Sequence, residues 1–434
     1  MKILSNEISK SLGPGILLAG ACIGGSHLMS STTAGARYGF SLIFLILITN
    51  IFKYPFLLIG TRFTSSTGLS LLEGFQRKNR FYLSIYLLIS LITGCFTITA
   101  VSYVTGLLLT NISVFSDYPV INLSIFILIC CSLILLIGQY KILDKVSKFL
   151  VLILTLFTLF AVVSLLFNGT ISTIDSTWFF PEISPYKSSN LSFLIPLMGW
   201  MPGPIELCVW PSLWMFSRSK ETKYKPSLKE AVFDFNFGYL ITVITAIFFV
   251  LLGAFTMYGN GEEMLSGSGV SFAQNLIKLY TNAIGPWAKW IIVPAAFAAM
   301  FSTTLTCLDA YPRGVSASQG LITRKDFGRL ESLNERKRLN LWIVFHVITS
   351  IFLLLIVRTG EIGVKDFVFA AMTGSFLTAP IFAWMAFDTF NSYLVPENKR
   401  FGKFMKNLCW MGLIFLGGFS FLFILNSFFG YGVQ

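Results

Sequence analysis

The chain has 434 residues, of which 55% are hydrophobic and 12% charged, and its mean hydropathy is +0.74. One soluble globule cannot turn that much apolar side chain inward, so the composition excludes a soluble fold and points to a polytopic membrane protein. The formal charge of +12 does not call for nucleic acid, because the basic residues gather in alternate connections between apolar stretches, where they report topology.

Stretches near the roughly 20 residues needed to cross roughly 30 Å of hydrocarbon recur from end to end. They predict spans at about 13–37, 40–61, 82–111, 119–140, 146–167, 191–216, 232–257, 283–308, 340–358, 366–390 and 405–430. The opening "MKILSNEISKSLGPG" has too short an apolar run for a cleavable signal, so the first span serves as its own insertion signal. Lys2, Lys10, Arg62, Arg77, Lys78, Arg80, Lys141, Lys145, Lys148, the Arg218–Lys229 cluster, the Arg313–Arg338 cluster and Lys399–Lys406 mark one side. Only Arg37, Lys187, Lys278, Lys289, Arg358 and Lys365 lie in or beside the other connections. That side is cytoplasmic by the positive-inside rule, with the N-terminus inside and, after eleven spans, the C-terminus outside. The seven cysteines all fall in predicted spans without metal-ligand spacing and read as small packing residues. The longest external loop, 168–190, carries a glycosylation sequon at Asn168–Thr170.

Two spans are built to break. The first holds Gly24-Gly25-Ser26-His27 near its middle, and the sixth holds Met201-Pro202-Gly203-Pro204. Proline removes a backbone donor and clashes with the preceding turn, and glycine has little helical preference. Broken backbone at bilayer depth is tolerated where it lines a cavity, and interrupted helices in matching positions of two halves mark a transporter site. The expected organisation is therefore one transmembrane unit over 1–434. Two inverted repeats, 1–167 (spans one to five) and 191–392 (spans six to ten), are followed by a last span at 405–430.

The run "GPGILLAGACIGGSHLMSSTTAGARYGFSL" at 13–42 resembles the first helix of the NRAMP family of proton-coupled divalent-metal transporters, in Gly13-Pro14-Gly15, Ala34-Gly35 and Tyr38-Gly39. Met201-Pro202 is similar to the start of that family's MPHN motif. "TRFTSSTG", "KILDKVSKF", "DFNFGY" and "AAMFSTTLTCLDAY" are weaker likenesses. The resemblance implies an all-α LeuT-like fold of five plus five inverted helices and one more. It does not carry the metal site over. Gly24, Gly25, Ser26 and His27 stand where the family has Asp-Pro-Gly-Asn, Gly203-Pro204 replace its His-Asn pair, and the third span has no acid. The likeness is to a divergent branch, one related to bicarbonate transporters.

Divalent ions such as Mg²⁺ and Mn²⁺ need oxygen ligands and usually a carboxylate, and a thioether with an imidazole suits later metals. The second half of each broken helix begins at the break, and helix N-termini lined by Gly and Ser favour anions. The predicted substrate site is Gly24, Gly25, Ser26, His27, Ser30, Met201, Pro202 and Gly203, with Ser31 beside it. His27, able to donate, carry charge or relay a proton, and Glu206, the acid well inside a broken helix, are the expected coupling residues. Glu206 has Lys53 as a candidate ion-pair partner, Lys53 itself being a candidate for snorkelling to the cytoplasmic face. Asp234, Asp309 and Asp388 read as gate or capping residues and His346 as structural. The expected function is a secondary transporter of a small anion such as bicarbonate, coupled to H⁺ or Na⁺, in a bacterial inner membrane; the alternative is a proton-coupled Mn²⁺, Fe²⁺ or Mg²⁺ carrier. No nucleophile, base and orienting group suggest an enzyme, and no cofactor is called for.

Overall fold

The structure is a computed structural model that describes residues 11–167, 174–181, 184–187, 190–258, 269–323, 333–358 and 364–429. Within its helices it leaves out the side chains of 138–148, 150–151, 269–273, 291, 333–334, 364–366 and 429. Lys2, Lys10, the Asn168–Thr170 sequon, Arg324, Lys325 and Arg329 lie outside the described residues, as do the side chains of Lys141, Lys145, Lys148 and Lys365.

Among the described residues every regular element is helical. The first predicted span is two helices, α1 (Pro14–Cys22) and α2 (Thr32–Tyr38), joined through Ile23 to Gly25 and a π-helical turn at Ser26–Ser31. Next come α3 (Ile43–Thr67), a short α4 (Leu71–Lys78), α5 (Arg80–Leu109) and α6 (Val120–Phe167). The sixth predicted span divides into α7 (Leu191–Trp200) and α8 (Val209–Thr222), with a 3₁₀ turn at Ile205–Cys208 between them. The others are α9 (Leu228–Met257), α10 (Gly269–Ile284), α11 (Lys289–Thr323), α12 (Leu333–Arg358), α13 (Val364–Leu377), α14 (Ala379–Phe390) and α15 (Lys403–Phe429). Nine segments among the described residues are long and apolar enough to cross a membrane, and Leu152–Phe167 is a shorter apolar helix. Together with the divided first helix they correspond to the eleven predicted spans.

Four local features depart from the sequence reading. The connection between the fourth and fifth spans is itself helical, so α6 carries two apolar lengths, 120–137 and 152–167. α4 is an extra helix closed by a capping box, in which Ser70 Oγ accepts from Glu73 N at 3.2 Å and Glu73 Oε2 accepts from Ser70 N at 2.7 Å. α10 occupies an expected loop and buries Leu276, Leu279, Tyr280 and Ala283, the spacing of one helical stripe. The tenth span is interrupted at Thr378, just ahead of Pro380.

α9 holds both halves of the first helix. The Asp234 carboxylate of α9 accepts from Gly13 N at 3.0 Å and Gly15 N at 2.7 Å, satisfying donors that the start of α1 leaves open. Farther along, a Cβ on Gly253 would fall on the Thr32 carbonyl oxygen of the first helix, and one on Gly35 would fall on Val250 O. Glycine at both positions lets the backbones touch. Gly253→Val should therefore push α9 away from α2, an overpacking cost of about 1–3 kcal/mol, and lower the melting temperature in detergent. Gly418→Val, at a position with open space around it, should leave melting unchanged.

Candidate functional site

α1 ends at Cys22, and the chain turns through Ile23, Gly24 and Gly25 before helix resumes. Thr303 of α11 supports this turn. Its Oγ1 lies 3.0 Å from Gly20 O, 3.4 Å from Ile23 O and 3.2 Å from Ala299 O, so one hydroxyl proton serves three carbonyls. A Cβ on Gly24 would meet Thr303 Oγ1 at 2.6 Å. Gly24 is thus the seat of Thr303 and is not on the cavity wall.

His27 turns toward α9. Nε2 donates to Thr242 O at 2.9 Å, and Nδ1 lies 2.8 Å from Ser26 Oγ. Ser26 Oγ also donates to Cys22 O at 3.0 Å. A hydroxyl has one proton, so a neutral His27 ring and Cys22 O compete for it; a second ring proton would satisfy both bonds. Ser30 donates to the Met372 sulfur at 3.9 Å, away from the break.

In the sixth helix α7 stops at Trp200, and the Met201–Pro202 peptide is cis. The 3₁₀ turn starts from Pro204. Pro202 and Pro204 have no N–H, so this break offers fewer backbone donors than the sequence reading assumed. Met201 is fully buried behind the wall. Glu206 is 1% exposed and accepts from Tyr311 OH at 2.6 Å, Thr93 Oγ1 at 2.9 Å and Ser90 Oγ at 3.5 Å.

The expected Glu206–Lys53 pair does not form, and Lys53 does not snorkel. It is 0% exposed, and its ammonium donates to Met198 O, Gly199 O and Gly203 O. α3 passes the end of α7, where unpaired carbonyls are closer at hand than any carboxylate.

Between the two breaks lies a cavity of about 30 Å³. Gly25 and Ser26 line it from the first helix and Pro202 and Gly203 from the sixth. Thr97 of α5 and Thr303 and Tyr311 of α11 add hydroxyls, and Trp200 and Trp210 add indoles. Cys22 and Cys307 also reach the wall, where the sequence reading gave the cysteines only packing roles. Among the described residues no Asp or Glu lines the cavity. Among the described residues no three His, Cys, Asp or Glu side chains gather as a metal-ligating group.

Four of the predicted residues, Gly25, Ser26, Pro202 and Gly203, share the wall, while Gly24, His27, Ser30, Met201 and Glu206 stand behind it. Thr97, Thr303 and Tyr311 were missed as site residues. The spacing of Thr93, Thr97 and Val101 on one face of α5 was an available signal. The remaining predicted acids join different elements: Asp309 accepts from Trp214 Nε1 at 3.0 Å and Arg313 Nε at 2.9 Å, and Asp388 meets Lys78 at 3.2 Å and Tyr82 OH at 3.0 Å. His346 is intrahelical, with Nδ1 donating to Trp342 O at 2.8 Å.

The sequence model of the natural resistance-associated macrophage protein-like family matches residues 15–426. An uncharacterized protein from Pasteurella multocida strain Pm70 is 34% identical over 432 residues, covering 98% of this chain and 96% of its own. A manganese transporter from Eremococcus coleocola, in complex with an aromatic bis-isothiourea substituted compound, shares the fold at a TM-score of 0.70. It is 16% identical, over 100% of this chain and 90% of that one. MhsT in complex with L-phenylalanine does so at 0.66 and 14%, over 95% and 98%.

Thr303→Val keeps the shape of the side chain and removes the proton shared by the carbonyls of the first break. It should cost about 1–3 kcal/mol, read as a lower melting temperature, and Thr303→Ser should restore most of it.

Proposed function

The chain belongs to the natural resistance-associated macrophage protein-like family, and from that membership we propose a secondary active transporter whose metal site has given way to one for a small inorganic anion, bicarbonate fitting best. The observation that carries this reading is the cavity wall, which among the described residues presents hydroxyls, indoles and thiols and no carboxylate. A divalent cation there would shed water without a compensating negative charge, a cost on the order of several kcal/mol even after relaxation. An anion would instead meet hydroxyl donors beside the start of a half-helix. A space of about 30 Å³ suits a few heavy atoms, and bicarbonate is small, planar and able both to donate and to accept.

Ser26 supplies a coupling mechanism. An anion that accepts the Ser26 proton leaves Cys22 O and His27 without it, and a proton taken up by the ring lets Nδ1 donate to Ser26 in turn. Anion and proton then favour each other's binding, so His27 acts from behind the wall as the coupling group. Glu206 offers a second place for H⁺ or Na⁺, reached through Tyr311. A coupled cation is needed, because an anion entering against an inside-negative potential costs about 2.3 kcal/mol per charge per 100 mV. The halves 1–167 and 191–392 would alternate access in a multi-pass inner membrane, with the N-terminus cytoplasmic and the C-terminus outside.

Cys22 and Cys307 favour a second reading, a metal carrier, and thiols would select later transition metals over Mg²⁺ or Mn²⁺. Proteoliposomes given labelled bicarbonate, Mn²⁺ or a later transition metal such as Co²⁺ at matched gradients and a defined potential distinguish the two. We expect bicarbonate uptake with both metals excluded. Ser26→Ala should lower uptake about tenfold or more, the loss of a hydrogen bond to a charged group, and make what remains insensitive to the proton gradient; His27→Ala should abolish it. Uptake of either metal without bicarbonate uptake would overturn the anion reading.

A further inference from the structure

An ammonium inside a membrane bundle without a carboxylate partner is costly, and such groups are kept for function more often than for stability. Lys53 is such a group. It is 0% exposed and forms no ion pair among the described residues. Nζ donates to Met198 O at 2.6 Å, Gly199 O at 2.8 Å and Gly203 O at 3.1 Å, which uses all three of its protons.

The first two oxygens belong to the last turn of α7, whose final carbonyls lose their intrahelical partners where the helix stops. That end carries the equivalent of roughly half a negative charge. The third oxygen comes from the unwound stretch beyond it. Carbonyl oxygens converging on one point at a negative helix end are the donor set with which proteins replace the hydration shell of a monovalent cation.

We propose that the break of the sixth helix forms a monovalent-cation site and that Lys53 fills it as a tethered cation, in place of a soluble one. Lys53 then ties α3 to the break and holds a fixed positive charge behind Gly203, a residue of the cavity wall. A coupled ion binds elsewhere, since this position is taken in every cycle. The inference holds whichever substrate the cavity carries.

The test is a thermal melt of the full-length protein in detergent, in N-methyl-D-glucamine chloride and in titrations of ammonium, methylammonium, Na⁺ and K⁺ chlorides at constant ionic strength. The unsubstituted protein should not distinguish these salts. Lys53→Ala should melt several degrees lower in N-methyl-D-glucamine and recover saturably with at least one small cation, as ligand linkage requires. Lys53→Met, which refills the space without charge, should melt low and ignore the cations.

An alanine variant that melts like the unsubstituted protein, or responds equally to every salt, would overturn the proposal. So would equal recovery of the methionine variant. Should the alanine variant aggregate in N-methyl-D-glucamine, solubilisation in ammonium chloride decides the matter: monodisperse protein upholds the site and continued aggregation refutes it.

Discussion

Two helices that break inside a bilayer release backbone groups that lipid cannot satisfy, and most of the central structure answers that constraint. At the first break, Thr303 shares its hydroxyl between Gly20 O and Ile23 O as well as Ala299 O of its own helix, and Ser26 bonds back to Cys22 O. At the sixth, where Pro202 and Pro204 reduce the donors and the end of α7 presents carbonyls, one lysine from α3 satisfies three oxygens. The neighbouring helices approach closely enough to do this through glycine: a Cβ on Gly60 of α3 would fall on Cys208 O, next to the break it serves.

These partners also set the electrostatics of the cavity. A hydroxyl-lined space with no acid among the described residues of its wall, bounded by the start of one half-helix and backed by a buried ammonium, has the opposite bias from a site built on an aspartate. Glu206 does not reverse that bias at the wall. Its oxygens are taken by Tyr311, Thr93 and Ser90, and it reaches the cavity only through the tyrosine. Ser26 and Tyr311 link the cavity wall to the two titratable side chains behind it, His27 and Glu206.

The sequence by itself determined the membrane class, the eleven apolar lengths and both breaks, because hydropathy over about 20 residues and clusters of Gly and Pro act locally. The absence of a carboxylate between Gly24 and His27 and between Met201 and Pro204 was equally plain. Only the tertiary structure decided which neighbours face the cavity, since rotation of a helix about its axis is set by packing against other helices. Hence His27 points to Thr242, 215 residues away, while Thr303 and Tyr311 reach the wall. Lys53 could be read as snorkelling or as pairing with Glu206, for nothing local to α3 records the carbonyls that the end of α7 leaves unpaired beside it.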